Sequence, residues 1–125
     1  MNIYINEVLQ AHVAIENWLS KGEGNPEQLL GRFSRHYSMI ALSGARLDYE
    51  ALSQFFLQQR ASRPGLTIVV DNISVLQEWE GGAVVLYQEQ QTQPDQAMTL
   101  RWSTAVLHLQ EDKPLWLHLH ETRQP

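Results

Sequence analysis

Five polar residues in the last third of the chain, Tyr87, Glu89, Arg101, Ser103 and Glu121, are spaced to share one face of a folded-back sheet. Antiparallel partners in a hairpin keep a constant sum of residue numbers, and side chains alternate between faces. A turn centred near Pro94–Asp95 pairs Glu89 with Arg101, Tyr87 with Ser103 and Val85 with Ala105. A turn near Asp112 pairs Ser103 with Glu121, Ala105 with Leu119, Leu107 with Leu117 and Leu109 with Leu115. The five polar residues then stand at one end of a face whose other end is apolar. An arginine between two carboxylates is a binding device for an anionic or carbonyl group. It is equally a closed structural salt-bridge network, because buried charges occur paired.

The opposite face of the same strands collects Leu86, Trp102, Val106, His108, Trp116, His118 and His120. A His-x-His pair on a strand has zinc-binding spacing. No carboxylate joins it on that face and aromatic residues surround it, so an aromatic–histidine interface is the expectation and a metal is not. A contiguous apolar patch of this kind rarely stays in water. A second copy of the same sheet covers it most simply. The expectation is a homodimer with Trp102, Trp116, His118 and His120 in or near the contact.

Three strands carry these residues: Ala83–Gln91, Thr99–Gln110 and Leu115–Thr122. Upstream, Tyr4, Val8, Ala11, Ile15, Trp18 and Leu19 fall on one helical stripe within residues 3–20. Asn25 and Pro26 open a short second helix, as N-cap and first helical residue. Phe33–Leu42 reads as a strand, followed by a turn at Ser43, Gly44 and Ala45. Asp48 caps a third helix over 49–62, with Leu47 and Leu52 placed as a hydrophobic staple. Leu66–Trp79 is a long strand that Asp71–Asn72 interrupts as a bulge or bend would. Glu80, Gly81 and Gly82 then turn the chain into the meander. The order α-α-β-α-β-β-β-β predicts an α+β fold, with helices packed on a strongly bent antiparallel sheet.

The chain has 125 residues, which reads as a single domain, 1–125. A net charge of −5 with no basic cluster argues against nucleic-acid binding. The absence of cysteine excludes disulfides, thiolate metal sites and a cysteine nucleophile. No phosphate-cradling glycine loop precedes a helix, and no cofactor is expected. With no apolar run of spanning length and no basic-then-apolar leader pattern, the expected setting is cytoplasmic, without a membrane.

Certain segments carry a resemblance: Phe33, Tyr37-Ser38-Met39-Ile40, Ser43-Gly44, Arg63-Pro64-Gly65-Leu66, Tyr87 with Glu89, Leu100-Arg101, Ser103-Thr104 and Trp116-Leu117-His118-Leu119-His120-Glu121-Thr122. Across nearly the whole chain they resemble the cone-shaped superfamily of nuclear transport factor 2, ketosteroid isomerase and the SnoaL-type polyketide cyclases. More narrowly, they are similar to small bacterial proteins grouped as domain of unknown function 4440. The resemblance implies a cystatin-like cone, with a pocket between helices and sheet and a dimer through the outer sheet face. It implies an uncharacterised small-molecule-binding domain for a small apolar, carbonyl or carboxylate ligand. The alternatives it leaves are an isomerase, cyclase or hydrolase, or an assembly module. Relatives often carry an acid just before the Tyr-Ser-Met segment. Here that position is His36, which becomes the candidate base.

Overall fold

The computed structural model describes residues 2–125. Three helices and six strands follow one another as α1 (Ile3–Lys21), α2 (Pro26–Leu30), β1 (Phe33–Ile40), β2 (Arg46–Asp48), α3 (Tyr49–Gln58), β3 (Thr67–Trp79), β4 (Gly82–Thr92), β5 (Thr99–Gln110) and β6 (Lys113–Arg123). The expected order holds, with one short strand, β2, added. Helix α3 also ends at Gln58 rather than at 62, where Gln59 closes its last turn onto Phe55 and Phe56 carbonyls.

Local chemistry sets the helix ends. The Asn2 side chain accepts hydrogen bonds from the Tyr4 and Ile5 amides, and Asn25 and Asp48 do the same for Gln28 and Ala51. Helix α1 stops at Gly22, which takes the left-handed conformation (φ 70°) that lets its own amide reach back to the Trp18 carbonyl and the Glu23 amide to that of Asn17. The buried stripe of α1 is Tyr4, Val8, Ala11, His12, Trp18 and Leu19. It lies along the concave face of the sheet.

The sheet order is β2-β1-β6-β5-β4-β3. Every pairing is antiparallel except β1 with β6, which is parallel. In β4 and β5 the register pairs Glu89 with Arg101, Tyr87 with Ser103 and Val85 with Ala105. Between β5 and β6, Ser103 faces Glu121 and Ala105 faces Leu119. The expected arithmetic holds to that point and then fails by one residue. Val106 pairs with His118 but Leu107 pairs with Trp116, so Leu117 is an extra residue in β6. Because side chains alternate with period two, one inserted residue reverses every face beyond it.

This bulge overturns three placements. Trp116 is not on the outer face: it turns inward and is 1% exposed. Leu117 and Leu115 do not face Leu107 and Leu109; Trp116 and Pro114 take those positions, and Leu115 pairs with His108. A second irregularity lies directly beside it. Between the pairs Phe33–Trp116 and Ser38–His118, β1 advances five residues while β6 advances two. Surplus backbone on one strand bends the sheet, and the two defects together fold it about the Trp116–His118 step. Asn72 marks a third bend, at φ 51° inside the register shift of β3.

The core lies in the concavity. Val8, Ala11, Trp18 and Leu19 from α1 meet Phe33, Tyr37, Ala83, Val85, Ala105, Leu107 and Trp116, with Leu52 and Phe56 of α3 closing the side. No helix among the described residues is long and apolar enough to cross a membrane.

Candidate functional site

The cone does not fill to its open end. A cavity of about 270 Å3 remains between α1, α3 and the bent sheet. Its wall is apolar: Ile15 and Leu19 from α1, Phe33 and Met39 from β1, Leu52 and Phe56 from α3, and Trp116 and Leu119 from β6. Its other end is charged. His12, Tyr37, Arg63, Tyr87, Glu89, Gln91, Arg101 and Glu121 converge there.

Glu89 is the centre of the polar end and is 4% exposed. Its Oε1 lies 3.1 Å from His12 Nε2, and its Oε2 accepts from the Gln91 amide at 2.6 Å. The other ring nitrogen of His12, Nδ1, lies 2.7 Å from the Val8 carbonyl oxygen. A carbonyl only accepts, so Nδ1 carries a proton. Burial alone would push the Glu89 carboxyl up, but the His12 hydrogen bond and charge, Gln91 and Arg101 outweigh it and bring it to about 2. The ionised carboxylate also only accepts, so Nε2 carries a proton as well and His12 is an imidazolium. Burial opposes that charge too, yet the hydrogen bond His12 donates to Glu89, with the Glu89 charge, raises the His12 pKa. The Tyr87 hydroxyl stands 3.4 Å from the same Nε2. Burial, then the Glu89 charge, keeps that phenol protonated far above its ordinary range.

Gln91 passes the network to the rim. Its carbonyl oxygen accepts from Arg63 Nη1 at 2.8 Å, while Arg63 Nε donates to Gln93 at 3.0 Å. Arg63 stands on the loop after α3, which the fold ties down at both ends. The Ala61 and Arg63 amides donate to Trp18 and Leu19 carbonyls, each at 2.9 Å. Gly65, at φ 79°, lies so close to Pro94 that a Cβ would stand 2.8 Å from its ring.

Arg101 and Glu121 form a second, looser pair. Arg101 Nη1 reaches the Glu121 oxygens at 3.3 and 3.4 Å, and Nη2 reaches Thr99 at 3.4 Å. Arg101 Nε is buried with no partner among the described residues. Burial, which Arg101 only partly offsets, leaves the Glu121 carboxyl raised above the usual carboxylate range.

Four of the five residues singled out on this face, Tyr87, Glu89, Arg101 and Glu121, line the cavity. Ser103 shares the face but is fully buried beneath it, its hydroxyl unpartnered. Glu89 and Arg101 are cross-strand neighbours yet not a direct ion pair, because His12 holds Glu89. The candidate base His36 is elsewhere: it is exposed, within the surplus stretch of β1, in a shallow outer groove with Arg35, Ser38, Arg46 and Asp48. It alternates with Tyr37 and Met39, which line the cavity, so its side chain points to the other face of the strand. Trp102 is on the outer face at 37% exposed. His118 and His120 are there too, their rings 6.4 Å apart, with His118 Nδ1 2.8 Å from the Ser38 hydroxyl. No cluster of three metal-ligating side chains occurs among the described residues.

The cavity residues that the spacing did not assign to this site are His12, Arg63, Gln91 and Trp116, the last of which it put on the outer face. His12 had a signal: it lies one helical turn after Val8, inside the buried stripe of α1. A titratable residue in such a stripe needs a buried partner. Trp116 had none, since nothing in the local sequence announces the bulge.

No protein-family model matches the sequence, and no curated protein does. Solved structures do. A nuclear transport factor 2-like (NTF2-like) protein of unknown function from Pseudomonas aeruginosa is 35% identical, covers 99% of this chain and 100% of its own, and superposes with a TM-score of 0.94. A cystatin-like protein of unknown function from Nostoc punctiforme is 15% identical over 95% of this chain and 90% of its own, with a TM-score of 0.74. The CamKII hub homology domain of Chlamydamonas reinhardtii is 13% identical over 98% and 96%, with a TM-score of 0.78. The last two likenesses concern the fold alone.

Proposed function

The chain belongs to the NTF2-like family, and on that premise we propose that it is a small-molecule-binding domain whose cavity is the site and whose outer sheet face joins two copies. The narrower kinship with the group numbered 4440 and a cytoplasmic setting are part of this reading. One observation carries it: the cavity is built as two unlike halves, an apolar wall of about eight side chains and a charged end held by buried hydrogen bonds. Ligand sites combine apolar walls with a few placed polar groups in this way.

The binding reading ranks above the enzyme one on the state of the candidate bases. His36 is outside the cavity. Glu89 and His12 use their polar atoms on each other, Gln91 and Val8. A general base needs a free lone pair within reach of a substrate proton, and Glu121, the remaining carboxylate of the cavity, has the Arg101 guanidinium beside both its oxygens.

Neutral aromatic probes such as benzyl alcohol or indole test the cavity without involving charge. Each should raise the melting temperature, as a ligand of the native state does. Ala41 also lines the cavity, and Ala41→Trp should plug the space and abolish that response while leaving the fold intact. An unchanged response in the plugged variant would sink the proposal.

The bulge takes Trp116 from the outer face and turns Leu115 onto it beside His108. Leu86, Trp102, Val106, His118 and His120 remain. Hub and association domains among the solved neighbours give the assembly alternative its specific support. Light scattering on a sizing column separates the cases. A mass near 14.4 kDa at micromolar concentration rules out self-association through this face. Trp102→Glu should dissociate a dimer.

A further inference from the structure

We propose that the cavity is built for a small monocarboxylate on an apolar, ring-sized body, with its carboxylate seated against Arg101 and Arg63. This rests on the reading that the cavity binds a small molecule, and it names the chemistry of what is bound.

Donor and acceptor accounting points to an acceptor-bearing ligand. Both Glu89 oxygens are engaged, by His12 and Gln91, and the Gln91 carbonyl is engaged by Arg63. The acceptors at the polar end are therefore spoken for, apart from Glu121. Donors are in surplus. A guanidinium offers five N–H groups. Arg101 leaves Nε unpartnered and makes only contacts of 3.3–3.4 Å with its Nη atoms. Arg63 uses one hydrogen on each of Nε and Nη1. Tyr37 also lines this space.

Charge accounting gives the same sign and fixes its size. With His12 charged, the lining holds three cations, His12, Arg63 and Arg101, against two carboxylates, Glu89 and Glu121. One positive charge is left over, in a chain whose net charge is −5. A monoanion cancels that surplus; a dianion would reverse it. A carboxylate also fits the planar guanidinium fork better than a spherical anion does. The volume then sets the body. A dry cavity of ~150 Å3 accommodates benzene. The 270 Å3 here adds room for a carboxylate on a short arm. The body would rest on Phe33, Phe56, Leu52 and Trp116.

Calorimetric titration with phenylacetate, 3-phenylpropionate and hexanoate, each beside its primary amide, tests this directly. At least one acid should bind saturably, one per chain, about tenfold or more tighter than its amide. Arg101→Met should erase that preference and leave the amide within about twofold of its wild-type affinity. Arg63→Gln, at the rim, should weaken the preference and serves as the test if Arg101→Met fails to fold. Acid and amide binding equally would overturn the anion inference while leaving the cavity reading in place. Binding by neither at millimolar concentration would overturn both. A full acid preference surviving in both variants would put the anion seat elsewhere and end the proposal.

Discussion

Two carboxylates on one sheet face, Glu89 on β4 and Glu121 on β6, are opposite in state and organise the polar end. Glu89 is sealed: its imidazolium partner is a buried neighbour, its contacts are 3.1 and 2.6 Å, and its carboxyl is held down to about 2. Glu121 is loose: its arginine stands 3.3 Å away and its carboxyl is pushed up by burial. Both face the same cavity and both have a cation. The difference is that His12 is delivered by the rigid buried stripe of α1, whereas Arg101 reaches across from β5 on a long flexible stem. A partner fixed by packing makes a structural pair; one fixed only by its own side chain remains available.

Breaking the sealed pair should have the largest effect. His12→Leu leaves Glu89 buried with Gln91 as its remaining partner, and should cost about 3–5 kcal/mol in urea denaturation. The double variant His12→Leu with Glu89→Leu should recover most of that loss, because apolar replacement of a buried pair is often neutral. A double variant no better than the single one would mean the network orders more than itself. The same comparison has a pH signature. Glu89 has a depressed pKa, so its contribution is present above its ordinary value of 4.5 and is lost as pH falls towards 2. His12 has a raised pKa, so its contribution is present below its ordinary 6.5 and is lost as pH rises through the folded value. The stability gap between wild type and the double variant should therefore be widest between about 4.5 and 6.5, and a flat gap from pH 3 to 9 would contradict the assignment of charge.

The loose pair should break more gently. Arg101→Met should lower stability by about 1–2 kcal/mol, less than the His12→Leu effect, since long contacts are lost and Glu121 can accept a proton. A loss equal to that of His12→Leu would show the two pairs to be one network. Asp48→Ala, outside the comparison, calibrates it at about 1 kcal/mol, the cost of a helix cap. Glu121→Gln should have the smallest effect, within about 0.5 kcal/mol and favourable at neutral pH, because a carboxyl whose pKa is raised destabilises the fold once ionised.

The sequence was most legible where structure is local. The caps at Asn25 and Asp48, the bend at Asp71–Asn72 and the β4–β5 register all follow from short-range rules and hold in the structure. The polar cluster was legible because antiparallel pairing converts sequence distance into a face. Legibility stopped at Leu117. A bulge is decided by the bend the whole sheet needs, so Trp116 moved from the surface to the cavity. Position 36 was placed by likeness to relatives and not by face: it alternates with Tyr37 and Met39, which line the cavity, and so stands on the outer groove. His12 lay hidden because its partner is 77 residues away, across the core. Whether the cavity is a site was never in the sequence: it depends on how far α3 and its loop stand off the sheet.

The parallel seam between β1 and β6 joins residues 33–40 to 116–120, the longest loop closure in the sheet. Contacts of such separation in sequence form late, because the chain entropy of closing them is lost before they stabilise anything. The hairpins of β3 to β6 connect neighbours and face no such delay. Phe33, Tyr37 and Met39, which wall the cavity, arrive only with that seam. The pocket is thus expected to close late in folding, and a molecule that fits it would then act on the unfolding rate rather than on the rate of folding. Stopped-flow chevrons with and without a bound probe would show it: the unfolding arm should move down and the folding arm should stay where it is.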